Sequence, residues 1–146
     1  MNLIYLIKNY KKINKVLKYD QAFIFKQDYF KTMVAIGKIP QKFNLCILMK
    51  PNIIIIDKRF FFFPKFIQDF LLLHEAGHFL NGHLKVENQY ELRVEHIKNN
   101  EVTEEELAAD EFAINKLGKF KVKLALKILY LIYKNKELLL RYKKIK

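Results

Sequence analysis

The chain has 146 residues, 51% of them hydrophobic, and a formal net charge of +12. That length supports one domain with a real core, and that apolar content excludes a disordered chain. The single cysteine, Cys46, excludes an internal disulfide framework and any cysteine-rich zinc site, and no apolar run approaches the ~20 residues that span a bilayer.

The start, Met1 to Ile7, is apolar but lacks a basic flank before it and a small-residue cleavage site after it, so no secretory signal is expected. A soluble, cytoplasmic protein is the expectation, and a lone cysteine in an apolar run fits a reducing compartment. The charge is uneven: residues 1–65 balance at +10, residues 66–115 at −8 and residues 116–146 at +10. Basic flanks of this kind can attract nucleic acid or an acidic partner. With only three arginines (Arg59, Arg93, Arg141) and no base-reading motif, the lysines read first as solvated helix faces.

Residues 3–19 repeat apolar side chains near the helical period, with lysines between them, and predict an amphipathic helix that packs on the domain. Residues 21–36 predict a second helix, through Phe23, Phe30, Met33, Val34 and Ile36, stopped by Gly37 and Pro40. The period then changes. Phe43 to Met49 and Asn52 to Asp57 predict short strands separated by Lys50-Pro51, the four isoleucines implying burial on both faces. Arg59 to Phe63 predicts a third strand or an extension of the second, and Pro64 ends it and opens a helix.

That helix, about 65–83, carries His74-Glu75-Ala76-Gly77-His78 within an apolar stripe of Phe66, Ile67, Phe70, Leu73, Gly77 and Leu80. Histidines at i and i+4 lie one above the other on one face, where both imidazoles can hold a divalent ion, most often zinc. Zinc lowers the pKa of a bound water, and Glu75 is placed to take its proton as general base. With 4 histidines in the chain, a chance HExxH has an expectation below roughly one in a hundred. Two solvated surface histidines would explain the pattern without a metal, but this is the most apolar helix of the chain. Gly77 costs such a helix up to ~1 kcal/mol relative to alanine, which makes sense if a neighbouring backbone approaches closely there.

Residues 84–102 are polar and poorly periodic and predict a loop or short strand, ending at Asn99-Asn100 and able to line a cleft. Thr103 is placed to cap a helix over 104–117, closed by Gly118, and a last helix is predicted over about 122–142. A zinc site needs a third protein ligand. The pattern HExxHxxGxxH does not supply it, since Asn81 and Leu84 stand where Gly and His are required and Gly82 and His83 are out of register. His83 reads as a surface residue at the helix end. A glutamate from a following helix, in the pattern Glu-x-x-x-Asp, does fit: Glu106-Leu107-Ala108-Ala109-Asp110. Glu106 would bind the metal and Asp110 would orient a ligand histidine, with small alanines letting two helices approach. Two alternatives stay open for Glu106: Thr103-x-x-Glu106 is a capping box that needs no metal, and Glu105 is the rival ligand if the register differs by one. Asp110 could equally be a surface charge.

With a strand ending in Asp57, a helix bearing HEAGH and a second helix reading Glu-x-x-Ala-Asp-x-Phe-Ala, the stretch from about Ile53 to Leu117 resembles the gluzincin zinc metallopeptidases. Compact soluble ImmA/IrrE-like peptidases are the nearest in size and layout; the HtpX-type peptidases share the pattern but add membrane spans. The resemblance implies an α+β fold: a minimal zincin-like domain with a small, mostly antiparallel sheet packed on the HExxH helix and additional N- and C-terminal helices. On this reading the chain is one metallopeptidase-like domain, with N-terminal helices in 1–42, a catalytic core in about 43–118 and a basic C-terminal helix in 119–146. It implies one Zn2+ bound by His74, His78 and Glu106, and endopeptidase activity with Glu75 as general base. It also implies an edge strand, at about Asn52 to Asp57, that pairs with an extended protein or peptide substrate, typically a regulatory protein. The oxyanion donor has candidates in His96, Tyr90 and Arg93, His96 foremost. The alternative function is an inactive metallopeptidase-like scaffold that binds a protein or nucleic-acid partner.

Overall fold

The computed structural model describes residues 4–6, 21–27, 30–36, 39, 45–49, 53–82 and 89–146. Its contacts divide the chain into two units, residues 1–62 and 63–146. The fold is α+β.

The first unit is built on a five-stranded sheet: β1 (Ile4–Leu6), β2 (Gln21–Gln27), β3 (Phe30–Ile36), β4 (Cys46–Met49) and β5 (Ile53–Ile56), in the order β1-β2-β3-β5-β4. Three of its pairings are antiparallel and one, β3 with β5, is parallel. β2 and β3 form a hairpin with Gln27 opposite Phe30, where the sequence predicts one helix over 21–36. The isolated apolar positions of that stretch satisfy a helical period, but Phe, Ile, Thr and Val are strand formers, and cross-strand partners decide the outcome. Of the first predicted helix, residues 4–6 form β1 and residues 7–20 lie outside the described residues.

Ile54, Ile55 and Ile56 are all buried, as expected of a strand covered on both faces. β5 therefore lies inside the sheet, between β3 and β4, and is not the edge strand that the resemblance implies; β1 and β4 hold the edges. Asp57 closes β5 as a knot. Its carboxylate accepts from the backbone N–H of Ile39 (2.9 Å) and Arg59 (3.0 Å) and from Arg59 Nε (2.8 Å), while Arg59 Nη2 donates to the Ile39 carbonyl (3.2 Å). Hydrogen bonds from Arg59, opposed by burial and helped by the Ile39 N–H, lower its pKa to about 2. Residues Lys58–Phe62 form a 3-10 helix rather than a strand, with Phe60 fully buried. Cys46 is a buried core residue, as expected.

The second unit is helical: α1 (Lys65–Leu80), α2 (Gln89–Lys98), α3 (Glu104–Leu117), α4 (Lys119–Tyr133) and α5 (Lys136–Lys144). Pro64 opens α1, its carbonyl accepting from Ile67 and Gln68 N–H. α1 ends at Leu80, and His83 lies outside the described residues. Ile67, Phe70, Leu73 and Gly77 of the expected stripe are buried, together with Ala109 and Ala113 of α3 and Val122, Ala125, Leu126 and Leu129 of α4, whereas Phe66 is half-buried and Leu80 is exposed.

Two expectations change here. Within the predicted loop, residues 89–98 form α2. Its periodicity is weak, but Gln, Glu, Leu and Arg are good helix formers, and Asn100 ends it as a left-handed cap (φ 60°). Glu101 N–H reaches the His96 carbonyl (2.7 Å) and Asn100 N–H that of Ile97 (3.2 Å), the bond pair of a Schellman motif. The predicted last helix is two helices. Lys134 turns left-handed (φ 53°), and Asn135 caps α5 by accepting from Glu137 and Leu138 N–H. α5 then folds back along α4, where Lys123 Nζ donates to the Ile145 carbonyl (2.7 Å). Among the described residues, no helix is long and apolar enough to cross a membrane.

Candidate metal centre

The site begins with a close approach of two helices. A Cβ on Gly77 would lie 2.9 Å from Ala109 Cα, 3.1 Å from the Ala109 carbonyl oxygen and 3.1 Å from Phe112 Cβ. Only a glycine on α1 and a small residue on α3 let the two backbones come this near, which is the packing reason for a glycine between the two histidines. The approach sets His74 and His78 of α1 against Glu106 of α3.

The ligand atoms form a tight triangle. His74 Nε2 lies 3.1 Å from His78 Nε2 and 3.1 Å from Glu106 Oε2, and His78 Nε2 lies 3.3 Å from Glu106 Oε1. The two imidazoles stand perpendicular, with ring centroids 4.6 Å apart. Ligands held at 2.0–2.1 Å in a tetrahedron would be separated by about 3.3–3.4 Å. The His74–His78 separation is close to that spacing, each histidine faces a different oxygen of Glu106, and with one donor atom from each residue the three lie within 4.8 Å of one another, a group that could hold a metal ion. Glu106 Oε2 is buried and accepts no well-formed hydrogen bond, although His74 Nε2 and Arg141 Nη1 lie 3.1 and 3.2 Å from it.

Two features of its surroundings bear on the alternatives for Glu106. Thr103 occupies the N-cap of α3 but makes no side-chain cap bond, so the capping box does not form. Glu106 is buried, Glu105 is not, and the group of three contains Glu106. Asp110 is buried too and lies behind His74, its Oδ1 2.9 Å from Nδ1. A neutral His74 that carries its proton on Nδ1 would donate it to Asp110 and turn the Nε2 lone pair toward His78 and Glu106; Arg141 Nη2 also lies 3.0 Å from that Nδ1. Glu75, next along α1, is half-buried.

Behind these residues lies a second layer in which sequence reasoning missed Arg141 and Glu137 and named Arg93 only as an oxyanion candidate. Arg141 of α5 grips Asp110 with both arms, Nε to Oδ2 at 2.8 Å and Nη2 to Oδ1 at 2.5 Å. Its Nη1 lies 3.2 Å from Glu106 Oε2, and its guanidinium stands over the Phe70 ring. Arg93 of α2 pairs with Glu137 of α5 and brings Nη1 to 3.4 Å from Glu106 Oε1. The signal was present: Glu137 and Arg141 are one helical turn apart, the sole acid and sole arginine in a tail otherwise charged by lysine. His96, the foremost oxyanion candidate, sits in the last turn of α2 with Nδ1 3.3 Å from Glu101.

The electrostatics follow from this layer. Burial and the Arg141 charge both disfavour protonation of His74, but the Glu106 and Asp110 carboxylates outweigh them and raise its pKa to about 9. Burial opposes ionisation of Glu106, yet His74, His78 and Arg141 hold its carboxyl well below the usual carboxylate range. Asp110 is likewise lowered against its burial, by Arg141 and His74. With neutral histidines, the carboxylates of Glu106, Asp110 and Glu137 outnumber the guanidiniums of Arg93 and Arg141 by one. A proton on His74 meets that deficit, and so would a cation in the triangle. No protein-family model matches the chain, and neither a curated protein nor a solved structure matches it.

Proposed function

We propose that the chain is a zinc-dependent endopeptidase of gluzincin type, with His74, His78 and Glu106 as metal ligands and Glu75 as general base. The observation that supports this reading most is the triangle of ligand atoms with Asp110 behind His74, on two helices brought together by Gly77. A zinc ion bound there would polarise a peptide carbonyl and lower the pKa of a water toward neutrality. Glu75, following His74 on α1, accepts the proton of the attacking water and returns it to the departing amine. Asp110 fixes the His74 tautomer, and Arg141 fixes Asp110. The sequence pattern resembles that of the compact ImmA/IrrE-like peptidases, and a protein or peptide is the proposed substrate.

The test is cleavage of a mixture of denatured proteins by the zinc-loaded chain, read by mass spectrometry of new termini. Wild type should generate termini that Glu75→Gln does not, while both hold equal zinc. Equal termini from both proteins would remove Glu75 from the chemistry; none from a zinc-loaded wild type would favour the scaffold reading.

A further inference from the structure

Two guanidiniums approach Glu106, and they differ in access. The Arg141 side chain is 6% exposed and is used on Asp110, whereas the Arg93 side chain is 38% exposed. Glu137 holds Arg93 through Nε and Nη2, which fixes the plane of the fork. The remaining nitrogen, Nη1, stands 3.4 Å from Glu106 Oε1, too long for a good hydrogen bond. That oxygen is itself 3.3 Å from His78 Nε2. A positive donor on a side chain 38% exposed is thus fixed 3.4 Å from an oxygen of the candidate ligand Glu106.

We infer that Arg93 is the anion-recognising group of this site, donating from Nη1 to an anionic oxygen of a ligand seated against His78 and Glu106. The inference rests on the metal-centre reading above. In peptide hydrolysis the anionic oxygen is the former carbonyl oxygen after water has added to its carbon. A donor already held by Glu137 meets that charge without reorganising. Arg93 would then fill the role that sequence reasoning gave first to His96.

The probe is acetate, titrated into the cobalt(II)-substituted full chain and followed by visible absorption. Lys98→Ala, on the exposed end of the same helix, controls for the loss of one positive charge. Cobalt should bind wild type, Arg93→Ala, Arg93→Lys and Lys98→Ala with equal stoichiometry. The acetate Kd should rise at least tenfold in Arg93→Ala, less in Arg93→Lys, and stay at the wild-type value in Lys98→Ala. An unchanged acetate Kd in Arg93→Ala, with cobalt bound, overturns the inference and leaves the metal centre standing. If Arg93→Ala fails to fold, Arg93→Lys decides: a wild-type Kd there overturns the inference. A wild type that binds no cobalt overturns the metal centre, and the role of Arg93 with it.

Discussion

Replacing Gly77 by alanine puts one methyl group into the contact that forms the site. Its Cβ would stand 2.9 Å from Ala109 Cα, where non-bonded carbons rest about 3.5–4.0 Å apart. The contact is with backbone, so side-chain rotation cannot relieve it, and α1 and α3 must separate by roughly 0.6 Å or more. Overpacking of this kind costs about 1–3 kcal/mol, while alanine returns up to ~1 kcal/mol of helix propensity. The net loss of stability should therefore be about 0–3 kcal/mol. The effect on metal binding should be larger. His74 and His78 flank Gly77, Glu106 lies one turn before Ala109, and ligand distances tolerate only about 0.2 Å. Zinc affinity, measured by competition with a chromogenic chelator, should fall at least tenfold, with the thermal midpoint of the metal-free protein only slightly reduced. Wild-type affinity together with a raised midpoint would refute the close approach and the reasoning built on it.

Three further outcomes follow from single side chains. Asp110→Asn should weaken zinc binding by about 10–100-fold in the same competition, because the orienting acceptor behind His74 loses its charge; an unchanged affinity would make Asp110 merely structural. The folded-state pKa of Asp57, about 2, is depressed from the ordinary 3.8. Its contribution, about 2 kcal/mol, is thus fully present above pH ~5 and is lost as pH falls toward 2. Urea midpoints should show that acid-side loss in wild type and a flatter profile in Asp57→Asn, whereas parallel profiles would contradict the ion-pair account. Glu75→Gln should retain one zinc per chain by metal analysis and lose cleavage; loss of the metal instead would make Glu75 a ligand.

The elements around the site were readable because their signals are local. Pro64 before α1, and Thr103 and Gly118 at the ends of α3, mark boundaries by the backbone positions they favour, and four isoleucines mark a buried strand. The helical reading of 21–36 failed because strand pairing is non-local: Phe23 opposite Val34 is a fact about partners, not about either residue's neighbours. The same reason underlies the correction of β5 from edge to interior, although burial on both faces already argued for it. At the C-terminus the break was readable in principle. Asn135 followed by Lys136-Glu137 is an N-cap with an acid in the first turn, and overlooking it hid the return of Arg141. The arginines themselves carried information. In a chain that otherwise uses lysine for positive charge, Arg59, Arg93 and Arg141 each meet carboxylates: Asp57, Glu137 with Glu106, and Asp110. Planar two-armed pairing is what distinguishes the guanidinium from the ammonium.

The measurement that bears most directly on the account is metal analysis of the purified full chain after zinc loading and desalting, beside His74→Ala and Glu106→Ala. The account predicts one zinc per chain in wild type and loss of that ion in both variants, with α-helical content retained. A wild type that holds no stoichiometric metal, or a Glu106→Ala variant that holds it as tightly as wild type, would contradict the centre formed by His74, His78 and Glu106.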